Sequence, residues 1–335
     1  MEMEEDYDEG DVLQSGVRQH FRGGQEGNMQ EDDNMDYLDY EDVKGTLAEW
    51  VQKPQVQNFI RKHFTQFLYA YKEDNKAPVY EERINEMCQN NKQSLYVNFP
   101  HLSAKIPTLA IWVAEEPTHL LPILNQVASN VVEELFPEYK QVHEKIFVRI
   151  MKMPIEDNLR DLRQNNLNSL IMIKGVVVKR TGVFPELTRM TFKCQKCGTL
   201  KDPLEVNRFA DAMPQLGKCG TCQSPGPYSL DDASTIYRNY QKITIQETPG
   251  TVPAGRVPRQ KEVILLNDLI DIARPGDEVE ITGIYLTRFD FGANAKHGFP
   301  VFSTSIEANH VRRFGDEDVV EITEEDKKEI KRLSK

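Results

Sequence analysis

The sequence predicts an α+β fold. An acidic tail without fixed structure leads into a helical domain, and a small antiparallel β-barrel follows, interrupted by a metal-binding excursion. Three observations predict it. Apolar residues recur at three and four positions from Leu47 to about Val148, and at two positions from there onward. Four of the five cysteines fall into two C-x2-C pairs, Cys194–Cys197 and Cys219–Cys222. The acidity, a net charge of −12, is concentrated at one end.

That end is residues 1–42, with 15 acidic and 2 basic side chains, which leaves 38 of the 53 acids and 39 of the 41 bases elsewhere. The tail is poor in aliphatic residues and cannot bury enough apolar surface to offset its ordering entropy, so it is expected to be disordered. Two readings stand for it: a solubilising tail, or an anionic arm for a basic protein such as a histone, with Tyr7, Phe21, Tyr37 and Tyr40 as anchors.

Residues 43–145 read as the helical domain. Val56, Phe59, Ile60, Phe64, Phe67 and Leu68 mark one helix, and Tyr80 to Asn90 a second. Leu95 to Phe99 looks like a short strand. Ala110 to Phe136 reads as two helices, broken at Pro117 and Pro122 and ended by Pro137. The histidines here (His63, His101, His119, His143) lack metal spacing, and Cys88 reads as a small buried hydrophobe.

Residues 146–192 and 226–312 read as the barrel. Leu170 to Lys179 is a long strand, and Gly175 inside it suggests a bulge or sharp coil. Ile236–Gln246, Val263–Leu266, Glu278–Leu286 and Val301–Asn309 follow, with a turn at Pro275-Gly276-Asp277. Five or so strands with one insertion suit an OB-like Greek-key barrel, a fold that commonly binds single-stranded nucleic acid. Residues 313–335 read as a polar linker helix capped by Thr323.

The insertion, residues 193–225, reads as a C4 zinc ribbon. One tight turn presents two thiolates, and two such turns complete a tetrahedral S4 site. Gly198 and Gly220 are expected at positive φ, where backbone N–H groups turn toward sulfur. Disulfides are disfavoured, because no signal peptide precedes the cysteines and a reducing compartment is expected. Four cysteines leave no open position, so the Zn2+ is structural. No apolar run approaches membrane-spanning length.

No nucleophile–base set or catalytic carboxylate pair is recognisable, and no G-x-x-x-x-G-K-[ST] occurs. Gly250 and Gly255 have the glycine spacing of such a loop, but Arg256 and Val257 stand where Lys and Ser/Thr are required. The chain as given is therefore expected not to hydrolyse ATP. Taken alone, the cysteine pairs and the strand pattern allow a free-standing zinc-ribbon and OB protein that binds single-stranded DNA.

Several strings occur in a telling order: LRQNNLNSLIMIKGVVVKRTGVFPELTRMTFKCQKCG, then TIYRNYQKITIQETPGTVPAGRVPR, then LLNDLIDIARPGDEVEITGIY and GFPVFSTSIEANHV. Together with YEDVKGTLAEWV near the start, they resemble the N-terminal region of the minichromosome maintenance (MCM) replicative helicases, from about Tyr40 to Val311. The resemblance implies the N-terminal tier of a nuclear hetero-hexamer of MCM subunits. That tier encircles single- or double-stranded DNA without sequence preference and serves origin licensing, initiation and fork unwinding. ATP and Mg2+ would belong to an AAA+ domain that is not in this chain.

The resemblance also implies roles for particular segments. The zinc module would project toward a second, head-to-head ring. Gln246, Glu247, Arg256 and Arg259 fall in a loop that couples the two tiers. Arg288 to Gly298 falls at a pore-facing β-hairpin, with fewer bases here than the family usually carries: Arg288, Lys296 and His297. Lys179, Arg180, Arg189 and Lys242 are the other candidate phosphate contacts.

Overall fold

The computed structural model describes residues 46–72, 78–201, 203–205, 217–253, 255–289 and 302–314, together with Arg332. The acidic tail, Lys296 and His297 of the hairpin, and the linker helix at Thr323 lie outside the described residues.

The helical part is built from α1 (Leu47–Val51), α2 (Pro54–Ala70), α3 (Val79–Gln89), α4 (Phe99–Lys105), α5 (Pro107–Glu115), α6 (Pro117–Leu135) and the short α7 (Tyr139–Val142). Proline occupies the first position of α2, α5 and α6, where no N–H is needed and a fixed φ is already helical. On α2 the buried residues are Val56, Ile60, Phe64, Phe67 and Leu68, one stripe at helical spacing. They meet an aromatic cluster in which Trp50 and Trp112 pack edge to face at 5.1 Å and Phe67 lies 4.8 Å from Tyr80.

Two readings are revised in this region, and one element is new. Pro122 does not break a helix; it lies inside α6. It stands in the second turn, where loss of one backbone bond is tolerated while Leu120, Leu121, Ile123 and Leu124 are all buried around it. Phe99–Lys105 is a helix of its own, too short for the periodicity to reveal. Cys88 is half-buried rather than buried.

Two strands, β1 (Ser94–Asn98) and β2 (Phe147–Met151), pair in parallel. Side chains of α6 satisfy backbone N–H groups at β2: Ser129 Oγ accepts from Ile146, and Asn125 Oδ1 accepts from Val148 at 2.7 Å.

The second part contains β3 (Leu170–Arg180), β4 (Phe184–Met190), β5 (Phe192–Cys194), β6 (Leu204–Glu205), β7 (Tyr228–Leu230), β8 (Ile236–Gln246), β9 (Gln260–Leu266), β10 (Glu278–Phe289) and β11 (Phe302–Arg313). Seven of them pair in the order β3-β10-β11-β9-β8-β4-β6, and β3 pairs again with β8. Alternate residues point into one apolar core: Ile171 and Ile173, Ile243 and Ile245, Val263 and Leu265, Val279 and Ile281, Ile306 and Ala308. Full burial of such a side chain contributes about 1.5–3 kcal/mol.

Gly175 makes no bulge. Its register against β10 is unbroken, and the irregularity falls later, between Val177 and Lys179 against β8. The glycine serves close approach instead, since a Cβ there would stand 2.5 Å from the Gln246 carbonyl oxygen. Gly283 does the same against Glu307, beside the bulge at Thr282/Gly283.

Candidate metal centre and nucleic-acid interface

The cysteine excursion leaves the sheet through β4 and returns through β8. Among the described residues its paired strands are short. β5 and β7 pair over three residues, with Cys194 opposite Tyr228. Two turns carry the cysteines, and they are built alike. The Gly198 N–H donates to the Cys194 carbonyl at 2.8 Å, and the Gln223 N–H to the Cys219 carbonyl at 2.9 Å. The Cys194 N–H donates to the Thr199 carbonyl at 3.0 Å, and the Cys219 N–H to the Ser224 carbonyl at 2.9 Å.

Each turn needs a left-handed residue directly after its second cysteine. In the first that residue is Gly198, at φ 75°; in the second it is Gln223, at φ 49°. Gly220 has no positive φ, so the expectation placed on it is corrected: the turn closes one residue after the pair, not within it. A non-glycine there costs on the order of 1 kcal/mol.

The four Sγ atoms lie within 4.8 Å of one another. Cys194 and Cys222 approach to 3.7 Å, and Cys197 and Cys219 to 3.6 Å. A disulfide needs about 2.05 Å. A Zn–S bond of about 2.3 Å in a regular tetrahedron sets a sulfur–sulfur edge of about 3.8 Å. The thiols therefore fit an S4 metal site, and they are not paired as disulfides.

The surroundings already favour thiolates at two positions. The hydroxyl and backbone N–H of Thr199 hold the Cys197 thiol down at about 6. Backbone N–H groups of Cys222 and Thr221 lower Cys219. Cys222 goes the other way: the Ser224 N–H favours its thiolate, but burial and the three neighbouring sulfurs push it up to about 11. Four thiolates repel one another without a cation between them, and a divalent ion reverses that balance.

Among the candidate phosphate contacts, Lys179 is exposed at the end of β3. Arg180 is 3.0 Å from Asp271, and Lys242 is 2.6 Å from Glu262, so both already face a carboxylate. Arg189 is half-buried on β4, and Arg288 is placed by its backbone on β10.

The loop between β8 and β9 has a firm base and an exposed tip. Arg256 and Val257 are exposed. Glu247 is buried and held by a two-pronged contact from Arg160, with Nε to Oε1 at 2.9 Å and Nη2 to Oε2 at 2.7 Å. The Arg259 N–H donates to Glu247 Oε2 at 3.0 Å, and its guanidinium reaches the Arg160 carbonyl at 3.1 Å. These contacts, the Arg160 fork first, hold the Glu247 carboxyl below its ordinary range. Gln246 is tied to Gln260 at 3.0 Å. Arg160 is a contact of this loop that sequence reasoning missed, because it lies 87 positions from its partner.

A second missed constellation joins the helical part to the sheet. Buried Arg149 donates to Ser94 Oγ and to the Asn309 carbonyl, both at 3.0 Å, and pairs with Asp268. Asn309 accepts from the Ile150 N–H at 2.7 Å and donates to the Val148 carbonyl at 3.0 Å. A signal was available: Arg149 is a lone cation within the apolar strand Phe147–Met151.

The chain matches two family profiles, an MCM N-terminal domain over residues 61–152 and an MCM OB domain over residues 158–289. It is 47% identical over 297 residues to the DNA replication licensing factor MCM2 of Arabidopsis thaliana, covering 88% of this chain and 32% of that protein. Against MCM2 of Xenopus laevis the identity is 43%, covering 88% and 33%. The minichromosome maintenance protein MCM of Saccharolobus solfataricus is 35% identical, covering 84% and 41%. The chain thus spans about a third of the length of the MCM2 relatives it matches.

Proposed function

The chain belongs to the minichromosome maintenance family, carrying its N-terminal and OB domains, and from that membership we propose that it forms the non-hydrolytic, DNA-encircling tier of a replicative helicase hexamer. ATP hydrolysis would be the work of an AAA+ domain of the full-length protein. The observation that carries the reading is one arrangement. Four thiols within 4.8 Å of one another, two pairs of them near a tetrahedral edge length, stand on an excursion from an OB-type sheet, within a stretch over 40% identical to MCM2.

The finer points rest on particular contacts. The pairing circuit through β3, β10, β11, β9 and β8 supports a small OB barrel. Zn2+ on Cys194, Cys197, Cys219 and Cys222 would be structural, shaping a ribbon for contact with a second ring. Exposed Phe184 on β4, with Val183 just before it, and Ile236 and Tyr237 on β8 offer apolar side chains to a neighbouring subunit. Binding to DNA is backbone-directed and weak per subunit, through Lys179, Arg189 and Arg288 with Lys296, and with Arg180 and Lys242 once released from their carboxylates. The exposed tip of the β8–β9 loop, with Arg256, reaches the ATPase tier, while Glu247 and Arg259 brace its base. A nuclear location and an affinity of the acidic tail for histones belong to the same reading.

The test is mass. Mixed with the corresponding regions of the other MCM subunits, the chain is expected in a ring-sized complex by light scattering, with DNA binding that falls steeply with salt. A chain that stays monomeric and binds single-stranded DNA tightly by itself would favour the free-standing zinc-ribbon and OB protein.

A further inference from the structure

A cleft of about 720 Å³ opens where α3 and β1 meet the ends of β10 and β11, away from the cysteines. Cations stand on both sides of it. Arg83 and Lys92 come from the helical side, Lys152 from just after β2, and Arg312 and Arg313 from β11. Two acids, Glu86 and Glu280, oppose these five bases. Some of the charge is already engaged: Arg83 donates to the Tyr96 carbonyl at 2.8 Å, and Arg313 lies 3.6 Å from Asp277. Lys92 and Lys152 are exposed.

A second, independent observation points to a ligand. His310 lines the cleft, is only 7% exposed, and its Nδ1 has no hydrogen-bond partner. A buried polar atom left unpaired costs about 1–3 kcal/mol. The ring packs edge-on against Tyr96 from β1 at 5.8 Å, and Thr282 lies opposite on β10. Burial, then Arg149 and Arg312, push its pKa down to about 4, so the imidazole is neutral at neutral pH beside two guanidinium groups.

The cleft is lined by apolar atoms as well as cations. Met87, Met151, Ile272 and Val311 contribute to it. A phosphodiester backbone has nothing to bury against such a surface, and the cleft's aromatic residue, Tyr96, is half-buried and turned edge-on to His310 rather than offered to a base. A peptide suits both features, with a carboxylate for the cations and an apolar side chain for the methionines. We propose that this cleft is a docking site for an acidic linear peptide of a partner protein, which places a carboxylate among Arg83, Lys92, Lys152 and Arg312, seats an adjacent apolar side chain against Met87 and Met151, and supplies the missing partner of His310.

The test is a random dodecapeptide display against the zinc-loaded chain, with a Lys92→Glu/Lys152→Glu variant as counter-target. Both lysines are exposed, so the variant is expected to keep its fold. The expected result is enrichment of sequences with Asp or Glu next to Leu, Ile, Met or Phe, and binding weakened at least tenfold in the variant. With methyl-labelled methionine, Met87 and Met151 signals should move on adding an enriched peptide, while Met190 stays still. Enrichment that the variant does not reduce, peptides without acids, or unmoved Met87 and Met151 signals would each overturn the proposal. So would oligo-dT shifting the same two methyl signals at lower concentration than any peptide.

Discussion

The barrel-like sheet and the cysteine excursion are continuous in the chain, yet different forces hold them. The sheet buries alternate aliphatic side chains from five strands, each contributing through area removed from water. The excursion pairs β5 with β7 over three residues and β4 with β6 over two, and its two turns converge on four sulfurs. Units this small gain little from burial, and four clustered thiols that could hold an ion offer another source of stability. One region should tolerate loss of the ion, and the other should tolerate loss of a core methyl group. Four experiments test that division.

The largest effect is expected from the metal. Structural zinc supplies roughly 10–16 kcal/mol to sites of this kind. Chelation, or Cys219→Ser, should abolish stoichiometric zinc and the amide protection of residues 193–201 and 217–230, while core amides of β8 and β10 stay protected. Loss of protection throughout the sheet would show that the two regions are not independent.

Next is the seam between helices and sheet. Arg149→Ala leaves Asp268, Ser94 and the Asn309 carbonyl without their buried partner, and removal of one member of such a set costs about 3–5 kcal/mol. Denaturant unfolding should show this loss with zinc content unchanged. A drop in zinc would mean that the seam supports the excursion.

Gly175→Ala probes the sheet alone. Its Cβ would meet the Gln246 carbonyl oxygen at 2.5 Å, so β3 and β8 must separate, at a cost of about 1–3 kcal/mol. The midpoint of thermal unfolding should fall, again with zinc retained. An unchanged midpoint would mean that the strands part without cost.

The smallest effect concerns the loop base. Because the Glu247 pKa is lowered in the folded chain, its contribution is fully present above the ordinary value of 4.5 and is lost as pH falls through the depressed folded value. Protection of the Arg259 amide should therefore persist at pH 5 and fade only in the acid range below the ordinary value. Glu247→Gln should weaken it at neutral pH, with the rest of the sheet unaffected. Fading of that protection already between pH 7 and 5 would assign it to a different group.

Much of this molecule is legible in the sequence where the cause is local. The second half of strand β8 is legible because Ile243 and Ile245 alternate with polar residues, and no distant contact is needed to see it. The C-x2-C pairs announce their turns for the same reason. Where the cause is a neighbour distant in sequence, the reading slips. Pro122 looks like a helix breaker until the burial of its flanking residues in α6 is seen. Gly175 looks like a bulge until β8 is laid beside it. Glu247 reads only as one member of a coupling loop until Arg160 is found paired with it.

The sequence by itself determined most of the elements, the concentration of net negative charge in the first 42 residues, and the identity of four thiols spaced for one metal ion. Periodicity, charge density and short spacings act within a few residues, so they are written in the order of the chain. Only the tertiary structure decided that Gln223 rather than Gly220 closes the second cysteine turn, that Arg149 joins helices to sheet, and that His310 faces a basic cleft with an unpaired nitrogen. Those outcomes depend on groups brought together from positions far apart, or on the close geometry of a turn, and desolvation makes each buried polar atom answer to whatever the fold places beside it.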